Sequence, residues 1–185
     1  MGNRYRSAPG KMVAMPRFVA LLGGSNVGGH RVTMDRLRAE VASLGFTDVA
    51  TFIASGNVLF SATGRAERAG AHEAQLQAHL EAALGWPVPT FVRTAAEILA
   101  ATDARPFGAV PDGHTHMVVF CRTSPSATPP ATPLDRFEIV GREVHWLIAG
   151  KLLESTITLL KLAKVIGPNT TRNITSLERL AELVR

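Results

Sequence analysis

Short apolar runs that end in glycine, separated by segments with helical spacing, constrain the fold of this chain more than any other feature. The run 18–22 is apolar throughout and is followed by Gly23 and Gly24, which is typical of a strand buried on both faces. Thr33 is a preferred N-cap residue, and apolar positions recur after it at helical spacing until Gly45. The same reasoning predicts strands over 49–54 and 58–60, a helix over 65–84 and a strand over 89–93.

The resulting order of elements, β-α-β-β-α-β, predicts an α+β fold. In the ferredoxin-like arrangement, also called the α/β plait, this order lays two helices across one face of an antiparallel sheet. A single bent strand over 49–60 is the alternative to two strands folded back on each other. Thr94 and Glu97 match a capping box, which predicts a further short helix.

Composition predicts two domains and an N-terminal extension. Residues 1–14 carry three basic side chains and no acidic one, without periodicity, so we expect a disordered extension. The segment 103–113 is rich in proline, glycine and aspartate, as expected of a boundary between domains. We therefore predict a ferredoxin-like domain over 15–105 and a smaller α+β domain over 114–185.

The second domain is expected to be an abbreviated relative of the first. Its predicted parts are a strand over 115–122, an exposed proline-rich linker over 125–133, a hairpin of 137–140 and 143–147, a helix over 155–166 ended by Gly167, and a last helix opened by a capping box over 175–178.

Charge and composition argue against several classes of function. No apolar run approaches the roughly 18 residues of a membrane span and no secretory signal is present, so we expect a soluble, cytoplasmic protein without membrane contact. The net charge is +5, but 17 basic and 15 acidic residues follow residue 14, which argues against a nucleic-acid partner. The single cysteine, Cys121, lies in an apolar run and is expected to be a buried core residue.

Two turn-rich segments supply candidate ligand-binding residues in the first domain. A glycine-rich loop that leads into a helix exposes backbone N–H groups to an anion. Ser55 and Asn57 add a hydroxyl and an amide from a second turn. The same residues also suit a sharp strand-to-helix connection and a hairpin turn, so both interpretations stay open. The candidate residues of the loop are Gly24, Ser25, Asn26, Gly28, Gly29, His30 and Arg31.

A third candidate segment lies at the predicted start of the last helix. Thr171, Arg172 and Asn173 would present a guanidinium group and short polar groups there, a combination that suits an anion. A structural role, in which Arg172 ties the last helix to neighbouring carbonyl groups, explains these residues equally well.

No pattern of a known catalytic or metal site accompanies these residues. The phosphate-binding P-loop and the dinucleotide fingerprint are absent, and Ser25 is off-centre for the nucleophile elbow. His114 and His116 would point to one side of a strand, but no cluster of carboxylates supports them. We therefore expect no metal ion and no cofactor, and the sequence leaves enzymatic activity open.

Three stretches in the order of the chain resemble the domain of unknown function 1697 family. Residues 18–29 read FVALLGGSNVGG, residues 44–60 read LGFTDVATFIASGNVLF, and residues 170–180 read TTRNITSLERL. The resemblance implies a bacterial origin, a ferredoxin-like architecture and no established activity. This chain departs from the family at Gly23, where an arginine is usual, and at Ile174, where a tryptophan is usual.

Three functions are compatible with the sequence. The first is a module that binds a small phosphate- or nucleotide-like anion at the turn-rich segments, as a monomer or a homodimer. The second is an assembly module that forms dimers without chemistry. The third, an RNA-binding module, depends on analogy with the fold alone, since stacking aromatic residues in the RNA-recognition pattern are absent.

Overall fold

The computed structural model describes residues 4–7, 11–23, 32–53, 56–63 and 68–185. The chain divides into two units, the first ending at Glu97 and the second running from Ile98 to Leu183. This division falls before the segment 103–113, in which the sequence predicts the boundary between domains.

The start of the chain differs from the predicted disordered extension. The strands β1 (Arg4–Ser7) and β2 (Lys11–Ala14) pair antiparallel, with Tyr5 opposite Val13. Aromatic and β-branched residues favour strands. The prediction relied on the lack of apolar periodicity, which two strands do not need in order to pair through their backbones.

The first unit contains a four-stranded antiparallel sheet. Its strands are β3 (Arg17–Leu22), β4 (Thr47–Phe52), β5 (Asn57–Ser61) and β6 (Thr90–Thr94), in the order β4-β5-β3-β6. The region 49–60 thus holds two strands and not a single bent one.

Two helices cover one face of this sheet. In α1 (Met34–Ser43) the hydroxyl of Thr33 accepts a hydrogen bond from Arg36 N at 3.2 Å, so the predicted N-cap is confirmed. The helix α2 (Ala69–Leu84) ends at Gly85, which has a left-handed φ of 83°. One buried cluster contains Leu37 and Leu76 from the helices together with Phe18, Ala20 and Leu22 of the sheet.

The edge strand β6 is tied to α2 by two side chains. Glu73 Oε2 accepts from Val92 N at 2.9 Å, and Gln77 Oε1 accepts from Thr90 N at 3.4 Å. An open strand edge invites pairing with other chains. These contacts occupy two backbone donors of the edge. The capping box of Thr94 and Glu97 is also confirmed, at the start of α3 (Ala95–Asp103).

The second unit contains another four-stranded antiparallel sheet. Its strands are β7 (Thr115–Cys121), β8 (Asp135–Val140), β9 (Glu143–Ile148) and β10 (Asn169–Asn173), in the order β10-β7-β9-β8. The predicted hairpin is confirmed in β8 and β9. The thiol of Cys121 is buried, as expected. The strand β10 was not predicted.

The two last helices start at other residues than predicted. The helix α4 (Leu159–Ile166) begins after Thr158, whose hydroxyl accepts from Lys161 N at 3.2 Å, and a short 3-10 helix (Leu152–Glu154) precedes it. The helix α5 (Ile174–Glu182) begins two residues earlier than the predicted capping box, because its N-cap is Asn173, whose Oδ1 accepts from Thr175 N at 2.9 Å. The carboxylate of Glu178 bonds to Arg105 instead.

Both sheets connect their strands in the same way. In each unit the fourth strand in chain order lies beside the first, followed by the third and the second. In the second unit the proline-rich segment 122–134 stands where the first unit has α1. This segment was expected to be an exposed linker, and most of it is exposed, but Pro129 is buried.

A buried carboxylate joins the proline-rich segment to the sheet. Asp135 is 0% exposed and accepts hydrogen bonds from Trp146 Nε1 at 2.8 Å, from Ser155 Oγ at 2.6 Å and from Thr132 Oγ1 at 2.5 Å. These donors belong to β9, to the segment before α4 and to the proline-rich segment. One side chain therefore holds three separate parts of the unit together.

Replacing Asp135 with alanine should lower the free energy of unfolding by about 3 kcal/mol or more, because each buried donor left unpaired costs roughly 1–3 kcal/mol. Urea denaturation measures this change. The matched control is Glu138→Ala, which removes an exposed acid of the same strand and should change stability by less than about 0.5 kcal/mol. Equal effects of the two substitutions would contradict the role given to Asp135.

Candidate functional site

A polar cavity of about 280 Å³ lies within the second unit, at the start of β7 and the start of α5. The residues around it come from two segments that are far apart in the sequence, 105–116 and 173–178, and most of them carry a charge, a hydroxyl, an amide or an imidazole. They are Arg105, Val110, His114, Thr115, His116, Asn173, Ile174, Thr175 and Glu178.

The imidazole of His116 is the most deeply buried ionisable group of this cavity. His116 is 2% exposed, and its Nε2 lies 3.0 Å from Nδ1 of His145. The other ring nitrogen, Nδ1, is buried and has no hydrogen-bond partner in the part of the chain that the structure describes. Because buried polar atoms are normally hydrogen-bonded, Nδ1 is an unsatisfied hydrogen-bonding position in a side chain that lines the cavity.

Both imidazoles of this pair are held in the neutral form. Burial, with a smaller contribution from the neighbouring His116, lowers the pKa of His145 from 6.5 to about 4. Burial also lowers the pKa of His116, to which Arg105 adds, whereas Glu178 opposes the shift. A neutral pair shares one N–H···N hydrogen bond, so the outer nitrogen of one ring is a donor and that of the other is an acceptor.

Phe107 contributes to the burial of the pair. Its ring meets the ring of His116 edge to face, with the centroids 5.5 Å apart, and the guanidinium carbon of Arg136 lies 5.4 Å from the centroid of the same ring. The apolar ring therefore keeps water from one side of the imidazole.

Arg105 brings a positive charge to the cavity on a strained backbone. Its Nη2 donates to Glu178 Oε1, and its φ is 43°, in the left-handed region that non-glycine residues rarely adopt. The carbonyl group of Arg105 accepts from Gly108 N at 2.9 Å. Strained residues of this kind are concentrated at functional sites.

The first turn of α5 also borders the cavity. Ile174 and Thr175 are its first residues, and Asn173 is its N-cap. The N-terminus of a helix carries a partial positive charge and N–H groups without intrahelical partners. The cavity thus combines a guanidinium group, a buried imidazole and a helix N-terminus with one carboxylate, that of Glu178.

A family model described as a protein of unknown function, DUF1697, matches residues 15–145, which is more than half of the chain. The chain belongs to this family. The resemblance inferred from the three sequence stretches is therefore confirmed, and the family is one of unknown function.

Among solved structures, this DUF1697 protein is similar to the conserved bacterial protein SP0830 of Streptococcus pneumoniae. The two share 21% sequence identity with a TM-score of 0.66, over 93% of this chain and 100% of that chain. At this identity the likeness shows a common fold. No curated protein matches the chain.

Most of the candidate residues in the first unit of this DUF1697 protein lie outside the described residues. This holds for Ser55 and for the whole predicted loop, namely Gly24, Ser25, Asn26, Gly28, Gly29, His30 and Arg31. At the start of the loop, Gly23 N donates to Pro89 O at 2.7 Å, so this amide is occupied by the protein itself.

Asn57 is a buried residue of the first unit. It is 1% exposed and its Nδ2 donates to Phe52 O at 3.1 Å, across the turn between β4 and β5. This contact supports the structural interpretation of the turn.

The candidates of the second unit lie in β10 and at its end. Arg172 is buried and donates to Thr170 Oγ1 at 2.8 Å and to Thr171 O at 2.9 Å, and burial lowers its pKa to about 10. The side-chain oxygen of Thr171 is buried without a partner among the described residues. Only Asn173 of these three borders the cavity.

The polar side chains of Ser43, His79 and Glu40 do not match a Ser-His-acid relay. His79 Nε2 lies 3.0 Å from Glu40 Oε2 and 3.2 Å from Ser43 Oγ. A Ser-His-acid relay uses both ring nitrogens, whereas here one nitrogen meets both partners. No group of three or more His, Cys, Asp or Glu residues within the described ranges is placed to hold a metal ion.

The imidazole of His72 is also buried, and it lies in the core of the first unit. It packs edge to face against three phenyl rings, those of Phe18, Phe46 and Phe60. Such surroundings are those of a core side chain.

Among the described residues, no helix has the length and apolar character that crossing a bilayer requires.

Replacing His145 with glutamine should make the stability of the protein less dependent on pH. The folded pKa of about 4 lies below the unfolded value of 6.5, so the unfolded chain binds more protons between these values. The stabilisation from neutral His145 is therefore full above pH 6.5 and is lost as the pH falls toward 4, at up to about 1.4 kcal/mol per pH unit.

Urea unfolding of both proteins across this range measures the effect. We expect the free energy of unfolding to fall less steeply with decreasing pH in the His145→Gln variant than in the wild type. Two parallel curves would show that the imidazole pair is not held neutral by the fold.

Proposed function

We propose that this protein binds a small oxyanion ligand, a carboxylate or a phosphate, in the cavity of the second unit. The observation that carries the proposal is the buried Nδ1 of His116, which has no partner among the described residues, on the wall of a polar cavity. A ligand oxygen can accept a hydrogen bond from this nitrogen in one of the two neutral tautomers, in which His145 Nδ1 donates to His116 Nε2.

The charges around the cavity support a negatively charged ligand. Arg105 provides five N–H donors on its guanidinium group, more than the Glu178 carboxylate can occupy. The N-terminus of α5 adds a partial positive charge. In this proposal Glu178 orients the guanidinium group and Arg105 contacts the ligand.

The size of the cavity limits the ligand. Its volume of about 280 Å³ lies at the lower end of the roughly 300–1,000 Å³ of small-molecule pockets. A small carboxylic acid or a monophosphate group fits this volume better than a complete nucleotide does.

The predicted loop of the first unit is a separate proposal. Gly24, Ser25, Asn26, Gly28, Gly29, His30 and Arg31, together with Ser55, are proposed to bind an anion of the same class through backbone N–H groups. Asn57 donates to Phe52 O and Arg172 donates to Thr171 O, and we propose a supporting role for Asn57, Thr171 and Arg172.

We further propose that both units are ferredoxin-like plaits. The support is the order of strands, fourth-first-third-second with antiparallel neighbours, and the two helices packed in one cluster with the first sheet. The domain bounds 15–105 and 114–185 and a cytoplasmic location stay predictions. The same holds for the alternative functions of dimer assembly and RNA binding.

A thermal-shift screen of inorganic phosphate, small carboxylic acids and monophosphates tests the binding proposal. A ligand present at one hundred times its dissociation constant stabilises the folded state by about 2.7 kcal/mol. We expect at least one oxyanion to raise the melting temperature of the wild type. The shift should be lost in Arg105→Gln and in His116→Phe.

The matched control is Arg122→Gln, which removes an exposed guanidinium group of the same unit that does not border the cavity. It should keep the shift, and circular dichroism verifies that each variant is folded. The proposal fails if no oxyanion stabilises the wild type, or if the two cavity variants are stabilised as much as the control.

A further inference from the structure

Exposed apolar side chains are concentrated around α4. The described residues expose seven large apolar side chains, and four of them lie within 153–165. Leu153 is 96% exposed and Leu160 is 71% exposed. Single exposed apolar residues are ordinary, but a group of them marks an interaction surface. We refer to Leu153, Leu159, Leu160 and Val165 as the α4 patch.

Leu160 lies on the side of α4 that faces away from the core, about 160° around the helix from the buried Leu162, so the packing of α4 does not require it. Leu162 and Ile166 are buried in one cluster with Val119, Val144 and Trp146 of the sheet. A helix that is apolar on both sides needs a partner on the side that its own core does not cover.

A small apolar cavity adjoins the patch. It measures about 110 Å³ and is formed by the proline-rich segment, through Pro129 and Pro130, and by Ile157, Leu162 and Val165 with the stem of Lys161. Lys161 is held there because its Nζ donates to Thr156 O at 3.0 Å. A recess of this kind can receive an aliphatic side chain of a partner.

The charges beside the patch are positive. Lys151, Lys161 and Lys164 are exposed, and Glu154 is the single acid between residues 149 and 168. The carboxylate of Glu154 already accepts a hydrogen bond from Lys151 N at 2.7 Å. Charge complementarity therefore calls for a partner with acidic residues next to its apolar ones.

Three other occupants fit this surface less well. The segment 1–14 has three bases and no acid, and a second copy of the chain would place lysines against lysines across a two-fold axis. A lipid surface would contact the protruding leucines but would not fill a recess beside them. A short peptide segment satisfies the recess, the leucines and the lysines together.

We propose that the α4 patch docks a segment of another protein in which an aliphatic side chain is flanked by aspartate or glutamate. The aliphatic side chain enters the cavity beside Pro130, and the carboxylates of the segment meet Lys161 and Lys164. This surface is separate from the polar cavity at His116, so either proposal can fail while the other stands.

Selection from a random-peptide display library on the immobilised full-length protein tests this proposal. We expect enriched peptides to carry an aliphatic residue with acidic neighbours. Fluorescence polarisation with an enriched peptide should show affinity reduced about tenfold or more by Leu160→Asp, since central apolar contacts dominate such interfaces. Lys164→Glu should reduce it as well, and added salt should weaken the wild-type complex.

The matched control is Leu183→Asp, which places the same charge at an exposed leucine that follows α5 and should leave the affinity unchanged. The proposal is overturned if no peptide is enriched on the wild type above the level on Leu160→Asp. It is also overturned if the enriched peptides are basic or uncharged, if the control loses affinity equally, or if the protein binds phosphatidylglycerol vesicles but no peptide.

Discussion

The second unit of this protein depends on the hydrogen bonds to one buried carboxylate. Asp135 begins β8, and two of its three donors, Thr132 and Ser155, come from segments that no strand ladder joins to β8, whereas the third, Trp146, lies in the neighbouring β9. The proline-rich segment has no helix of its own to pack, so the contact of Thr132, together with the hydrogen bond from Ser124 Oγ to Gly141 O, positions it relative to the sheet. The Ser155 contact does the same for the chain that leads into α4, and thereby positions both walls of the apolar cavity.

The two units share one order of strands but differ in the segments that connect them. Each sheet places its first strand in the middle, where it has a neighbour on both sides. In the first unit, helices cover one face, and α2 also supplies Glu73 and Gln77 to the edge strand. In the second unit, the missing crossover helix leaves a segment whose few apolar residues only partly cover α4. The exposed leucines are therefore a consequence of the shorter connection.

Local signals in the sequence predicted the elements whose causes are local. The cap at Thr33, the capping box of Thr94 and the hairpin around Gly141 follow from neighbouring residues. The strand β10 reads Asn-Thr-Thr-Arg-Asn, in which only the two threonines favour a strand. It forms because β7 offers a partner backbone more than 40 residues away. The polar cavity was missed for the same reason, since Arg105, His116 and Glu178 meet only in the folded unit. The alternation of His114 and His116 was the one available signal.

The backbone of Arg105 has a consequence for how this protein can change. A left-handed φ costs a residue with a side chain roughly 1–2 kcal/mol, and glycine would adopt it freely. A mutation of Arg105 to glycine would therefore relieve the backbone strain and would remove the guanidinium group beside the cavity. Stability and the guanidinium group beside the cavity are opposed at a single codon, so selection for stability alone would be expected to erase the charge.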